Sequence, residues 1–137
     1  HYPLRRQRQT CKETDHSTYA FEGGYDPIAP YLFANEDVRA FYLEFDTPRA
    51  GGFEPLAHIA DGKYVVLGLI TSKQPGLEDK EAVKARIAEA SKYVPLDHLC
   101  LSPQCGFASC EIGNKLTEEE QWAKIALVQE IAKEVWG

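Results

Sequence analysis

The chain has 137 residues, 44% hydrophobic and 26% charged, which suits one globular unit with its own core and argues against wholesale disorder. A net charge of −6 disfavours nucleic acid as the main partner, and no apolar run approaches the length of about 18 residues needed to span a membrane. The opening His1-Tyr-Pro-Leu-Arg5-Arg6 lacks the apolar stretch of a signal peptide, so the cytoplasm is the expected compartment. There, the four cysteines at 11, 100, 105 and 110 stay reduced, which favours metal or catalytic roles over disulfides.

Residues 1–18 are polar and basic, with Arg5, Arg6, Arg8 and Lys12 and no apolar periodicity, and are expected to form a mobile arm before a folded unit at 19–137. Phe21-Glu-Gly-Gly-Tyr-Asp-Pro27 is a turn cluster, and Pro27 suits the first turn of a short helix through Ile28, Tyr31 and Leu32. Ala40 to Phe45 is a short apolar run broken by Glu44. Tyr64 to Ile70 is a continuous β-branched and aliphatic run, as expected of a strand covered on both faces of a parallel sheet. Between these runs, Leu56, Ala57, Ile59 and Ala60 offer a weakly signalled short helix. Glu78 to Val94 reads as a helix with Val83, Ile87, Ala90 and Val94 on one face and Pro95 as its stop. His98 to Leu101 is a third strand. Thr117 with Glu120 forms a capping box that opens a last helix, with Trp122, Ile125, Val128, Ala132 and Val135 as its expected buried stripe.

Strand–helix alternation implies an α/β fold with a parallel sheet, and such sheets collect their chemistry at the carboxyl ends of the strands. That rule selects Glu44 with Asp46, Thr71-Ser72-Lys73, and Ser102-Pro-Gln-Cys105-Gly106. Glu44 reads either as an outward or salt-bridged acid, or as a carboxylate held by a cation or metal. Cys105 reads either as a small buried residue or as a thiolate ligand. Together, an acid and a thiolate on one rim make part of a zinc site, and Cys11 is the one thiol upstream to supply a third donor. Cys100, between Leu99 and Leu101, reads as packing, Lys73 as a solvated lysine ahead of a contact for an anionic substrate group, and His58 and His98 as structural. Cys110, on a loop, reads as a surface thiol near enough to Cys105 for oxidation to join them.

Four segments resemble the cobalamin-independent methionine synthase family, and most closely its short bacterial members. They are Phe21-Glu-Gly-Gly-Tyr-Asp-Pro-Ile-Ala-Pro30, Phe41-Tyr-Leu-Glu44-Phe45, Val66-Leu-Gly-Leu-Ile-Thr-Ser-Lys73 and, most diagnostically, Leu99-Cys-Leu-Ser-Pro-Gln-Cys105-Gly-Phe-Ala-Ser109. The resemblance covers roughly residues 17–137. It implies part of a TIM (β/α)8 barrel, about three carboxyl-terminal βα units, since a closed barrel takes about 250 residues. It also implies zinc held by a His-x-Cys pair, a strand-end Glu and a Cys in a Ser-Pro-x-Cys-Gly turn. Those positions map onto Cys11, Glu44 and Cys105, with Gln9 standing where the family has His. On resemblance alone, Ser17 and Thr18 line the mouth of a substrate pocket.

The implied activity is zinc-dependent methyl transfer to the thiol of homocysteine, in methionine biosynthesis. The partners are then a small-molecule thiol and a methyl donor, of which 5-methyltetrahydropteroyltriglutamate is one candidate among several. The alternative is a non-catalytic fragment, a zinc-binding α/β remnant that completes its open sheet as a homo-oligomer.

Overall fold

The computed structural model describes residues 23–108 and 113–137. Along them run helix α1 (Ala29–Asn35), strand β1 (Ala40–Glu44), strand β2 (Tyr64–Ile70), helix α2 (Lys80–Ala90), strand β3 (Leu99–Pro103) and helix α3 (Glu118–Trp136). The strands lie side by side in the order β1-β2-β3, and both pairings are parallel. The βα alternation is therefore as the sequence implies, an α/β arrangement whose three strands all point the same way. The basic arm at 1–18 lies outside the described residues.

Local chemistry sets the element boundaries. Pro30 in the first turn of α1 suits a position whose N–H needs no helical partner. Asp79 caps α2 by accepting from Ala82 N at 2.7 Å. The capping box at α3 is formed in both directions: Glu120 N donates to Thr117 Oγ1 at 3.3 Å, and Thr117 N donates to the Glu120 carboxylate at 2.7 Å. The segment at Glu54–His58 forms a 3-10 turn rather than an α-helix, burying Pro55 and Leu56 beneath the link from β1 to β2.

Alternation along the strands divides the sheet into two faces. Phe41, Leu43, Val65, Leu67 and Leu99 are buried in the main core, with Val83 and Ile87 of α2 and Ile131 of α3. An aromatic ladder of Phe41, Phe33, Tyr25, Phe45 and Phe53 fills the β1 side, with ring centroids 4.6–6.0 Å apart. The opposite face carries Tyr42, Glu44, Val66, Gly68, Cys100 and Ser102, and is open in places: Tyr42 is 63% exposed and Cys100 is exposed. Cys100 is thus not the packing residue its apolar neighbours suggested. It alternates onto the open face, while Leu99 packs beneath.

Helix α3 also corrects the sequence reading. Trp122 is 57% exposed, and the stripe that reaches the core is Lys124, Leu127, Val128, Ile131 and Val135. A rotation of the helix brings Lys124 inward because its ammonium has partners waiting there.

Candidate metal centre at the carboxyl rim

Glu44 is the last residue of β1. Its backbone N–H donates to the Tyr25 hydroxyl at 2.9 Å, and Tyr25 is itself buried between Phe33 and Phe45. The turn cluster ahead of α1 therefore fixes the tip of β1. No sequence pattern signals this contact, since nineteen residues separate the two partners.

Cys105 follows β3 at the same end of the sheet. The register runs from Glu44 through Gly68 to Ser102, so Gly68 lies between the two tips. A Cβ on Gly68 would meet Leu43 O at 3.0 Å and Gln104 Cα at 3.1 Å. The backbone entering Glu44 and the backbone entering Cys105 thus crowd the same point on β2, within about 6 Å of each other. A side chain here would require one of these backbone segments to give by a few tenths of an ångström. Gln104 N donates to Ile70 O at 2.8 Å, which holds the turn down, and Gly106 turns the chain with φ of +86°.

Two side chains that the sequence did not single out lock this end. Asn114 donates from Nδ2 to Ser72 O at 2.9 Å and to Gly106 O at 3.3 Å, joining the loop after β2 to the Cys105 turn. Lys124, fully buried, donates to Gly76 O at 2.7 Å and to both oxygens of Glu78 at 3.1 Å. The same Glu78 carboxylate accepts from Thr71 N at 2.8 Å. Glu78, just ahead of α2, thereby secures the loop after β2. Lys73, read as solvated, is half-buried in that loop, with its Nζ withdrawn from solvent. Arg86 of α2 donates to Phe45 O at 2.6 Å and lies over the Phe53 ring at 4.9 Å; its burial lowers the guanidinium pKa.

Glu44 and Cys105 are therefore brought to one rim. Cys11, Ser17, Thr18 and Cys110 lie outside the described residues. Among the described residues, no group of three or more His, Cys, Asp and Glu side chains is arranged to hold a metal. His58 is exposed, and His98 packs edge-on against Tyr64 at 4.9 Å. No described helix is long and apolar enough to cross a membrane.

Parallel strands with helices on one face, and an acid and a thiol at the carboxyl tips, are the layout of a β/α-barrel segment. The comparisons with known proteins make that specific. The family model described as "Cobalamin-independent synthase, Catalytic domain" matches residues 33–134, and the chain belongs to that family. Two Bacillus subtilis proteins of uncharacterised function, YxjG and YxjH, are 54% and 50% identical to it over 127 residues. That stretch is 92% of this chain but 34% of each relative, so the chain spans about a third of their length. A Listeria monocytogenes structure described as a candidate vitamin-B12-independent methionine synthase superposes with a TM-score of 0.64 at 43% identity, over 84% of this chain and 33% of that one. A B12-independent methionine synthase from Shewanella sp. W3-18-1, in complex with selenomethionine, gives a TM-score of 0.67 at 24% identity, over 81% of this chain and 30% of its own. This last likeness speaks to the fold. The chain is thus a portion of the catalytic domain of this family, with the architecture of a partial barrel.

Proposed function

We infer that the chain supplies part of a zinc-dependent methyl-transfer site whose acceptor is the thiol of homocysteine, within methionine biosynthesis in the cytoplasm. The observation that carries this reading is the crowding around Gly68 of the backbone at Leu43 and Gln104, the residues just before Glu44 and Cys105. A hard carboxylate and a soft thiolate from strand tips on one rim suit zinc in donor type. Cys11 is the proposed third donor. Zinc, when bound, supplies a Lewis acid that keeps a substrate thiol, with an ordinary pKa of about 8.5, deprotonated and nucleophilic at neutral pH.

The chain's own residues then have separable tasks. Tyr25 sets the height of the β1 tip, so that Glu44 projects from a fixed backbone. Gly68 and Gly106 let the Cys105 turn close over β2. Asn114 holds that turn against the loop after β2. Ser17 and Thr18 are proposed at the pocket mouth. Gln9, two residues before Cys11, offers a neutral amide where the family has His, so zinc binding is expected to be weak.

Isothermal titration of the chain with zinc at neutral pH tests this. Weak, saturable binding that Cys105→Ser abolishes is the expected result; binding indifferent to Cys105→Ser contradicts it. Methyl transfer to homocysteine, with and without added zinc, then reports activity. A second reading, a zinc-binding but non-catalytic piece that self-associates, draws on the open face around Tyr42 and Cys100. Light scattering after size exclusion separates the two. A defined oligomer without methyl transfer favours association, and a monomer speaks against it.

A further inference from the structure

The Lys124 ammonium has three protons, and the fold supplies three acceptors: Gly76 O at 2.7 Å and the two Glu78 oxygens at 3.1 Å. A charge this deep is tolerated because each proton finds an acceptor and the partner is an acid. The pair reaches further than the loop it closes. Glu78 also accepts from Thr71 N at 2.8 Å, and Ile70 O, on the other side of the same peptide group, accepts from Gln104 N at 2.8 Å. Gln104 is the residue before Cys105. A peptide group is planar and rigid, so its N–H and its C=O cannot be re-aimed separately. Whatever moves the Glu78 carboxylate therefore moves the acceptor that holds the entry to Cys105. The exit is tied to the same loop, since Asn114 Nδ2 donates to Ser72 O at 2.9 Å and to Gly106 O at 3.3 Å.

We propose that Lys124 is a positioning residue for Cys105: through Glu78 and the peptide group joining Ile70 to Thr71, helix α3 sets the backbone from which the thiol projects. The polarity of the chain of bonds runs the right way. A carboxylate that accepts from a peptide N–H pushes electron density onto the carbonyl oxygen of that peptide, which makes Ile70 O the stronger acceptor for Gln104 N. Lys124 holds the carboxylate at that N–H. An apolar side chain at 124 would fill the same space but leave Glu78, already 19% exposed, free to turn towards water. The placement of the thiol stands on these hydrogen bonds alone, whereas its consequence for a metal rests on the zinc reading above.

The test uses the full, reduced chain with a chelator present and follows alkylation of each cysteine by iodoacetamide with mass spectrometry. Cys105 is half-buried and Cys100 is exposed on the open face of the sheet, so the ratio of their rates separates release of the Cys105 turn from general loosening. Lys124→Met and Glu78→Gln should each raise the Cys105-to-Cys100 ratio by about threefold or more. Lys63→Met, at the opposite end of the sheet, should leave it unchanged. Glu78→Gln keeps the shape of the side chain and decides the matter if Lys124→Met fails to fold. A parental ratio in Glu78→Gln, or an equal rise in Lys63→Met, overturns the proposal. Cobalt(II) titration without chelator then separates the proposal from the zinc reading. In Glu78→Gln the cobalt–thiolate absorption should need about tenfold more metal to form than in the parent. A parent chain without that absorption contradicts the zinc reading, while a raised alkylation ratio still supports the placement of the thiol. Parental cobalt affinity in Glu78→Gln overturns the role of Lys124 in the metal site.

Discussion

The two ends of the sheet are built to different standards. At the amino end, polar groups are paired: Lys63 Nζ donates to Glu36 O at 2.7 Å and Val38 O at 2.8 Å, Tyr64 N donates to Arg39 O at 3.0 Å, and Trp136 Nε1 donates to Leu96 O at 2.9 Å. A cavity of about 220 Å³ lies there, with Lys63, Tyr93 and His98 among its lining, and none of the orphaned polar atoms belongs to it. At the carboxyl end, Thr47, Ser72 and Gln104 hold buried polar atoms without partners, beside the acid and the thiol. One end is finished as structure. The other keeps hydrogen-bonding capacity in reserve, as expected where a barrel binds its ligands.

Substitutions at the two ends should therefore separate stability from binding, and the largest effect is expected at Lys124. Lys124→Met strands the Glu78 carboxylate, which is itself partly exposed, and should cost about 3 kcal/mol in urea unfolding. Amide hydrogen exchange in residues 71–78 should quicken with it. Gly68→Ala forces a methyl group against two backbone atoms. It should cost about 2 kcal/mol and weaken zinc binding by separating the Glu44 and Cys105 tips. If it leaves zinc affinity untouched, the crowding at Gly68 has no bearing on metal.

At the amino end, Lys63→Met removes a charged donor from two carbonyls and should cost about 1.5 kcal/mol without altering zinc affinity. A change in zinc binding there would erase the distinction between the ends. The smallest effect concerns the surface seam between α2 and α3. Hydrogen bonds from Lys80 and then Lys84 pull the Glu134 carboxyl down from its ordinary 4.5 to about 2. A depressed acid stabilises the fold above its unfolded pKa and loses that contribution as the pH falls through its folded one. The melting difference between the parent chain and Glu134→Gln should thus be slight and present at neutral pH. It should shrink on acidification from about pH 5 towards pH 2, and shrink again with added salt.

Much of this architecture was legible from residue patterns because the signals were local. Tyr64–Ile70 is an uninterrupted apolar run, and it is β2 to the residue. Thr117 and Glu120 announce the start of α3 from within one turn. The carboxyl-end rule alone placed Glu44 and Cys105 on one rim. What escaped depends on long-range contacts. The phase of α3 differs from the apolar stripe because Lys124, rather than Trp122, is drawn inward by partners some 46 to 48 residues away, which no local pattern announces. Cys100 sits in an apolar run, yet faces the open side of the sheet because nothing in Leu99-Cys-Leu101 says which face is covered. Tyr25 and Asn114 act on backbone atoms far along the chain, and Gln104 differs from any surface glutamine only in being buried.

Cobalt(II) substitution tests the shared rim most directly, because a thiolate bound to cobalt gives a charge-transfer absorption that an oxygen ligand does not. Titrating the reduced chain with cobalt should produce that band, abolish it in Cys105→Ser, and leave it present but more weakly titrating in Glu44→Gln. A band of equal strength in the Cys105→Ser variant would place the metal elsewhere, and Glu44 and Cys105 would then be neighbours in the fold without a common ion.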